Sequence, residues 1–252
     1  MTAEPIPATS ARPNIVALEL SRRPVPFPPQ VERRLREEAR VIIDRYPQSR
    51  SALLPLLHLV QSVEGFVSST GIAFCAEQLG LTDAEVTAVA TFYTMYRRTP
   101  TGEHHVGVCT NTLCAVMGGD EILATLAAHL GTAAGETTAD GTVTLDHVEC
   151  NAACDYAPVV MVDWEFFDNQ TPESARALVD SLRAGEQVTG SRSGAPVCTF
   201  RETARILAGF PDRRAGANDG EPGPATLAGL RVARGEPMPD ADAPRSDAGE
   251  QR

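Results

Sequence analysis

The sequence predicts an α/β chain: a helical bundle over residues 31–100 and an α/β layer over 101–185, with an extended arm at 1–30 and a loose, flexible tail at 186–252. Three observations carry this. Apolar residues recur at helical spacing until shortly before Pro100 and alternate as in strands after it. Seven prolines crowd the first 30 residues, with no periodicity among them. From 185 to 252 there are 10 Gly and 7 Pro, close to the content at which packed structure gives way to disorder.

Each element has its own reason. From Val31 to Tyr46, the residues Val31, Leu35, Ala39, Ile42 and Tyr46 share one helical face, and Pro47 ends the run. A second helix runs through Ala52–Val60 with Pro55 in its first turn, and Gly65 stops it. A third covers about 70–79, with Ile72, Ala76 and Leu79 spaced apolar. Thr82 with Glu85 is a capping-box pattern opening a fourth helix, which carries Val86, Val89 and Tyr93. Beyond Pro100, His104–Cys109 alternates as a strand, and residues 118–130 form a helix stopped by Gly131. Asp140-Gly141 is a turn before the strand Thr142–Val148, and Val159–Val162 is a continuous apolar strand. Thr171-Pro172 caps a last helix ending at Gly185. The resulting order, β-α-β-β-α, is compatible with a thioredoxin-like sheet. In the tail, only Thr199–Phe210 has helical character.

Charge narrows the function. The net charge is −11, spread as +3 over 1–50, −13 over 51–184 and −1 over 185–252, and the chain has no lysine. An acidic middle lacks the basic footprint that nucleic-acid binding requires; on charge alone it reads first as a solvated acidic surface, and second as a face for a basic protein partner. No apolar run reaches the roughly 18–20 residues that span a bilayer, and no secretory signal is visible, so a cytoplasmic setting is expected. There is no G-x-G-x-x-G after a strand and no Walker A motif, so NADH and flavin are not expected to bind this chain. Met117-Gly118-Gly119 opens a helix but is a weak phosphate signal.

The chemistry lies in Cys109-Thr110-Asn111-Thr112-Leu113-Cys114 and Cys150-Asn151-Ala152-Ala153-Cys154, a C-x4-C and a C-x3-C motif 35 residues apart. Both follow expected strands, which places them on loops at one end of a sheet. Four thiolates can hold two irons, two on each, and thiolate is the soft ligand of iron–sulfur chemistry. A structural four-cysteine zinc site is the rival, although its pairs favour tighter x2 spacings. Disulfide exchange of the thioredoxin kind expects C-x-x-C, which is absent. Cys75 reads as core, Cys198 as an incidental thiol in the loose tail, and His104 and His105 as surface residues at a strand start.

Longer stretches add a resemblance. Leu53-Leu54-Pro55-Leu56-Leu57 through Gln61 and Gly65, Ala90-Thr91-Phe92-Tyr93-Thr94-Met95-Tyr96, the first ligand loop with Gly118, Gly135–Gly141, and Val148-Glu149-Cys150 to Cys154 with Ala157-Pro158 resemble the small [2Fe-2S] thioredoxin-like ferredoxin subunit of bacterial NADH:quinone oxidoreductase, respiratory complex I. The resemblance covers about 31–185. It implies a helical region followed by a thioredoxin-like [2Fe-2S] ferredoxin domain, and one [2Fe-2S] cluster held by Cys109, Cys114, Cys150 and Cys154. It implies docking on the flavin- and NADH-binding subunit of the peripheral arm, with FMN and NADH on that partner only. The cluster would exchange single electrons with the flavin, so the chain acts as part of an enzyme without a complete active site of its own. It would reach the cytoplasmic face of the membrane through the complex. The same module serves NAD-linked hydrogenases and formate dehydrogenases, which the sequence does not separate. Two departures stand out: Asn151, where many relatives carry Gly early in the second ligand loop, and a longer tail, expected to wrap a partner.

Overall fold

The computed structural model describes residues 25–217 and 223–237. Most of the expected arm (1–24) and the stretches 218–222 and 238–252 lie outside the described residues.

The helical unit comprises α1 (Pro29–Ile43), α2 (Leu53–Glu64), α3 (Ser69–Leu79) and α4 (Asp83–Phe92), with a short 3-10 turn at Ser49–Ala52. Helix α1 starts with proline in its first turn and buries Leu35, Ala39 and Ile42, three members of the anticipated face; Tyr46 lies past its end and is exposed. Helix α2 is apolar on most sides because it is central. Helices α1 and α3 pack on it, and Leu53, Leu56, Leu57, His58, Leu59, Val60 and Gln61 are all buried. The capping box opening α4 is present: Thr82 Oγ1 accepts from the Glu85 N–H, and Glu85 accepts from the Thr82 N–H.

Gln61 anchors the chain after α4. Its amide donates to the Met95 carbonyl at 3.0 Å and its oxygen accepts from the Arg97 N–H at 2.8 Å. The Tyr96 hydroxyl donates to the Leu54 carbonyl at 3.0 Å. A buried side-chain amide with both ends paired avoids the penalty of an unsatisfied polar group. Arg97, fixed in this way, forms an ion pair with Asp146 of the sheet, linking the two units.

The sheet has five strands: β1 (His104–Cys109), β2 (Glu136–Thr137), β3 (Val143–Val148), β4 (Val160–Val162) and β5 (Glu165–Phe167), ordered β2-β3-β1-β4-β5. Strands β1 and β3 are parallel and the other neighbours antiparallel. The parallel crossover carries a short α5 (Thr112–Val116) and α6 (Gly119–Leu130), as parallel pairing requires. One face, with Val106, Val108, Val143, Leu145, Val160 and Val162, is covered by Ile122 and Leu126 of α6 and by Ala175, Leu178, Val179 and Leu182 of α7 (Pro172–Arg183). Strands β2 and β5 and helix α5, all very short, carry no periodicity that a sequence pattern could register.

Among the described residues, the segment after 185 carries more structure than its composition implies. Thr189 and Pro196 form a bridge, and Val188 and Val197 pack against the sheet core. Helix α8 (Phe200–Leu207), inside the island anticipated at 199–210, lies along α2. Arg201 donates to the Val63 and Glu64 carbonyls at 3.1 Å each, satisfying carbonyls that the C-terminus of α2 leaves open. Arg205 pairs with Glu38 of α1 through two hydrogen bonds, at 3.1 and 2.8 Å. Glycine and proline occupy the turns here, while Ala195, Phe200, Ala204 and Ala208 are buried. A further helix, α9 (Pro224–Ala233), leaves Leu227, Leu230 and Val232 exposed.

The histidine reading is corrected. His105 is only 1% exposed. It points to the second face of the sheet, where Trp164 and Phe200 cover it at ring separations of 5.2 and 6.0 Å. His104 is largely buried too, its Nδ1 2.6 Å from the Asp163 carboxylate. Burial, the largest single influence, lowers the His104 pKa, but the hydrogen bond to Asp163 and the negative charges of Asp163, Glu103 and Glu202 together outweigh it, and the net shift is upward. Both residues look like surface positions only while the tail is taken as loose.

Phe200→Ala should therefore destabilise the full chain by about 3–5 kcal/mol in denaturant unfolding. An unchanged midpoint would mean that α8 is not docked in solution.

Candidate metal centre

Register places the site. Cys109 pairs with Val148 at the matching ends of two parallel strands. Both strands therefore deliver the chain to the same edge: β1 into the Cys109–Cys114 loop, β3 through Glu149 into Cys150. All four cysteines line one pocket, together with Asn151, Ala153 and Val159.

The first pair sits deep. Cys109 and Cys114 are each 2% exposed. The Cys109 N–H donates to the Val159 carbonyl at 3.1 Å, tying the loop to the chain entering β4. Cys114 lies within α5, and burial, followed by the neighbouring Cys109 thiol, pushes its pKa up to about 11. Gly118, at φ 111°, reverses the chain between α5 and α6 in a conformation that favours glycine. At Gly119 a Cβ would stand 2.5 Å from the Cys109 carbonyl oxygen and 2.9 Å from that of Cys114. The two glycines are thus accounted for without a phosphate: Gly118 by its positive φ, Gly119 by close backbone packing under the Cys109–Cys114 loop.

The second pair faces outward. Cys150 is exposed and Cys154 half-buried, their Sγ atoms 3.4 Å apart. Hydrogen bonding to Cys150, then burial, raises the Cys154 thiol. The Ala152 N–H donates to Cys150 Sγ at 3.4 Å. The strained residue of this loop is Ala152, at φ 55°, one position after the Asn151 that the sequence singled out. A glycine would be relaxed at 152.

The cysteines are grouped as two pairs around one space. Among the described residues, no three His, Cys, Asp or Glu side chains converge as a single ion would require. Thiol donors in two pairs fit an iron–sulfur group, which would take four thiolates as its protein ligands, two for each iron. Binding would reverse the upward pKa shifts, because a coordinating thiol is deprotonated outright. Cys75 is fully buried in the helical core, as expected. Cys198 stands apart from the four; it is half-buried and 3.2 Å from the Thr203 hydroxyl, a fixed position rather than a loose one.

Gly119→Ala should displace the Cys109 and Cys114 carbonyls and lower stability by about 1–3 kcal/mol, as overpacking does. Iron retained after anaerobic reconstitution should fall with it. Wild-type iron content and unfolding would contradict the packing role.

The family model for the thioredoxin-like [2Fe-2S] ferredoxin matches residues 39–183. The chain is 63% identical over 224 residues to the NADH-quinone oxidoreductase E subunit of Mycobacterium bovis, covering 89% of this chain and 88% of that protein. It is 38% identical over 155 residues to an NADH-quinone oxidoreductase E subunit of Rhizobium meliloti, covering 62% of this chain and 92% of that protein. Among solved structures, it is similar to an NAD+-reducing [NiFe]-hydrogenase in the air-oxidized state, with a TM-score of 0.48 and 21% identity over 53% of this chain and 23% of that one. Over extents of this size, the chain belongs to the thioredoxin-like [2Fe-2S] ferredoxin family and, within it, to the E subunits of NADH-quinone oxidoreductase.

Proposed function

We propose that this chain is the electron-transfer [2Fe-2S] subunit of an NADH:quinone oxidoreductase, with Cys109, Cys114, Cys150 and Cys154 as ligands. The observation that carries the reading is the meeting of two cysteine pairs around one pocket at the shared end of β1 and β3. The 63% identity to the Mycobacterium bovis protein, over nearly the full length of both chains, favours the respiratory enzyme over a hydrogenase or formate dehydrogenase.

The bound cluster supplies a one-electron carrier. The chain's own residues determine how it is presented. Cys109 and Cys114, with Val159 and Ala153, shut water out on the inner side. Cys150 and Cys154 set the outer side near the surface, where electron exchange with a partner's flavin is feasible. Beside Cys114, the side chains Leu113, Val116 and Met117, on α5 and just after it, are 44%, 79% and 56% exposed. An apolar patch alongside a redox site suits docking of the flavin- and NADH-binding subunit, which brings FMN and NADH. No helix among the described residues is long and apolar enough to cross a membrane. The chain would lie on the cytoplasmic face through its partners.

The test is visible absorption and EPR of the anaerobic, reconstituted chain before and after dithionite. A brown protein with about two irons and an S = 1/2 signal on reduction is expected. Cys114→Ala and Cys150→Ala should each abolish assembly, while Cys198→Ser should leave it intact. A colourless, zinc-loaded chain that resists iron–sulfur reconstitution would replace this reading with a structural zinc module.

Val116→Asp should weaken association with the flavin-binding partner by at least tenfold, read by titration of one loaded protein with the other. Iron content should not change. Undiminished association would remove the α5 patch from the interface.

A further inference from the structure

We infer that Asn151 tunes the redox centre: its side-chain amide donates a hydrogen bond to a sulfur of the [2Fe-2S] group and raises the reduction potential. The inference rests on the ligand set proposed above and adds a fifth functional residue to it.

Asn151 lines the pocket formed by the four cysteines. Its Nδ2 atom is shut off from solvent and has no hydrogen-bond partner in the protein. A buried amide donor left unpaired costs about 1–3 kcal/mol, so an acceptor is expected in the space that it faces. Of the other side chains lining that pocket, Ala153 and Val159 offer no acceptor, and the remainder are the cysteine sulfurs. An Asn amide can turn either atom inward, and its orientation is fixed by what it meets. Thiolate and sulfide sulfurs carry negative charge, so the N–H end is attracted and the carbonyl end repelled. The loop already aims one donor the same way, through the Ala152 N–H on Cys150 Sγ. Ala152, held at φ 55°, bends the chain just after Asn151 and keeps the loop folded over the sulfurs.

The direction of the effect follows from charge. Reduction adds one electron to a group that already carries negative sulfurs. A hydrogen-bond donor stabilises the more negative state more strongly, and such bonds to the sulfurs are a recognised control on cluster potential. Removing a backbone N–H takes a proline, which also fixes φ and reshapes the loop, whereas this side chain can be replaced with the backbone left alone.

The experiment is an EPR-monitored redox titration of the loaded full chain, wild type against Asn151→Leu, which keeps the bulk and removes the donor. At a fixed ambient potential, the variant should show about a tenfold lower ratio of reduced to oxidised cluster, a downward shift of about 59 mV for a one-electron couple. About two irons per chain should remain. Wild-type chain labelled with 15N only at the asparagine side-chain amides should also show a nitrogen coupling to the reduced cluster in pulsed EPR that persists in Asn111→Ser, the other asparagine of the cysteine loops; its loss there would assign the coupling to Asn111 and overturn the inference. Equal potentials, or a wild-type chain without that coupling, would overturn the inference; if Asn151→Leu fails to hold a cluster, the wild-type coupling decides alone. A wild-type chain that binds no cluster would instead sink the ligand set itself.

Discussion

The parallel pairing of β1 with β3 is the constraint on which the site depends. Had the two strands run antiparallel, the Cys109–Cys114 loop and the Cys150–Cys154 loop would leave at opposite ends of the sheet, roughly a strand length apart. Parallel pairing sends both to one edge, and the register Cys109↔Val148 brings them level. Its cost is a crossover, met by α5 and α6, whose joint presses Gly119 against the Cys109–Cys114 loop. Sheet topology and donor placement are thus a single arrangement.

The second face of the sheet is completed from elsewhere. Helices α6 and α7 cover one side, while part of the other is closed by Trp164 and by Phe200, which comes from beyond the expected domain end at 185. The Phe200 N–H donates to the Glu103 carbonyl just before β1, so the same segment braces the strand that carries Cys109. Arg97, held by Gln61 and paired with Asp146, makes a second link between helical unit and sheet.

Legibility in the sequence follows signal length. Helices α1 to α4, α6 and α7 are visible because caps and apolar spacing extend over ten residues or more, and the capping box at Thr82 and Glu85 forms as its pattern predicts. Strands β1 and β3 emerge within about one residue from alternation. The four cysteines are legible from their paired spacing, although only the strand register explains why they meet. Helix α5 and strands β2 and β5, at two to five residues, leave no period to detect. The buried state of His104 and His105 is hidden for another reason: it depends on Trp164 and on Phe200, the latter roughly a hundred residues away in a segment whose glycines and prolines signal looseness. The orphan Nδ2 of Asn151 is a purely three-dimensional fact that composition cannot supply.

The strap formed by α8 has a consequence for the order of assembly. Its Arg201 joins the end of α2 across 138 residues of sequence. Closing so long a loop carries an entropic cost, and contacts of such separation tend to form late. During synthesis the helical unit and the two cysteine loops emerge first, with one flank of α2 and the ring of His105 still uncovered. Only when residues 200–208 leave the ribosome can that flank be sealed. The strap thus works as an end-of-chain latch: a message truncated before it yields a polypeptide that carries all four cysteines yet exposes apolar surface, the kind of surface by which chaperones and proteases recognise unfinished chains.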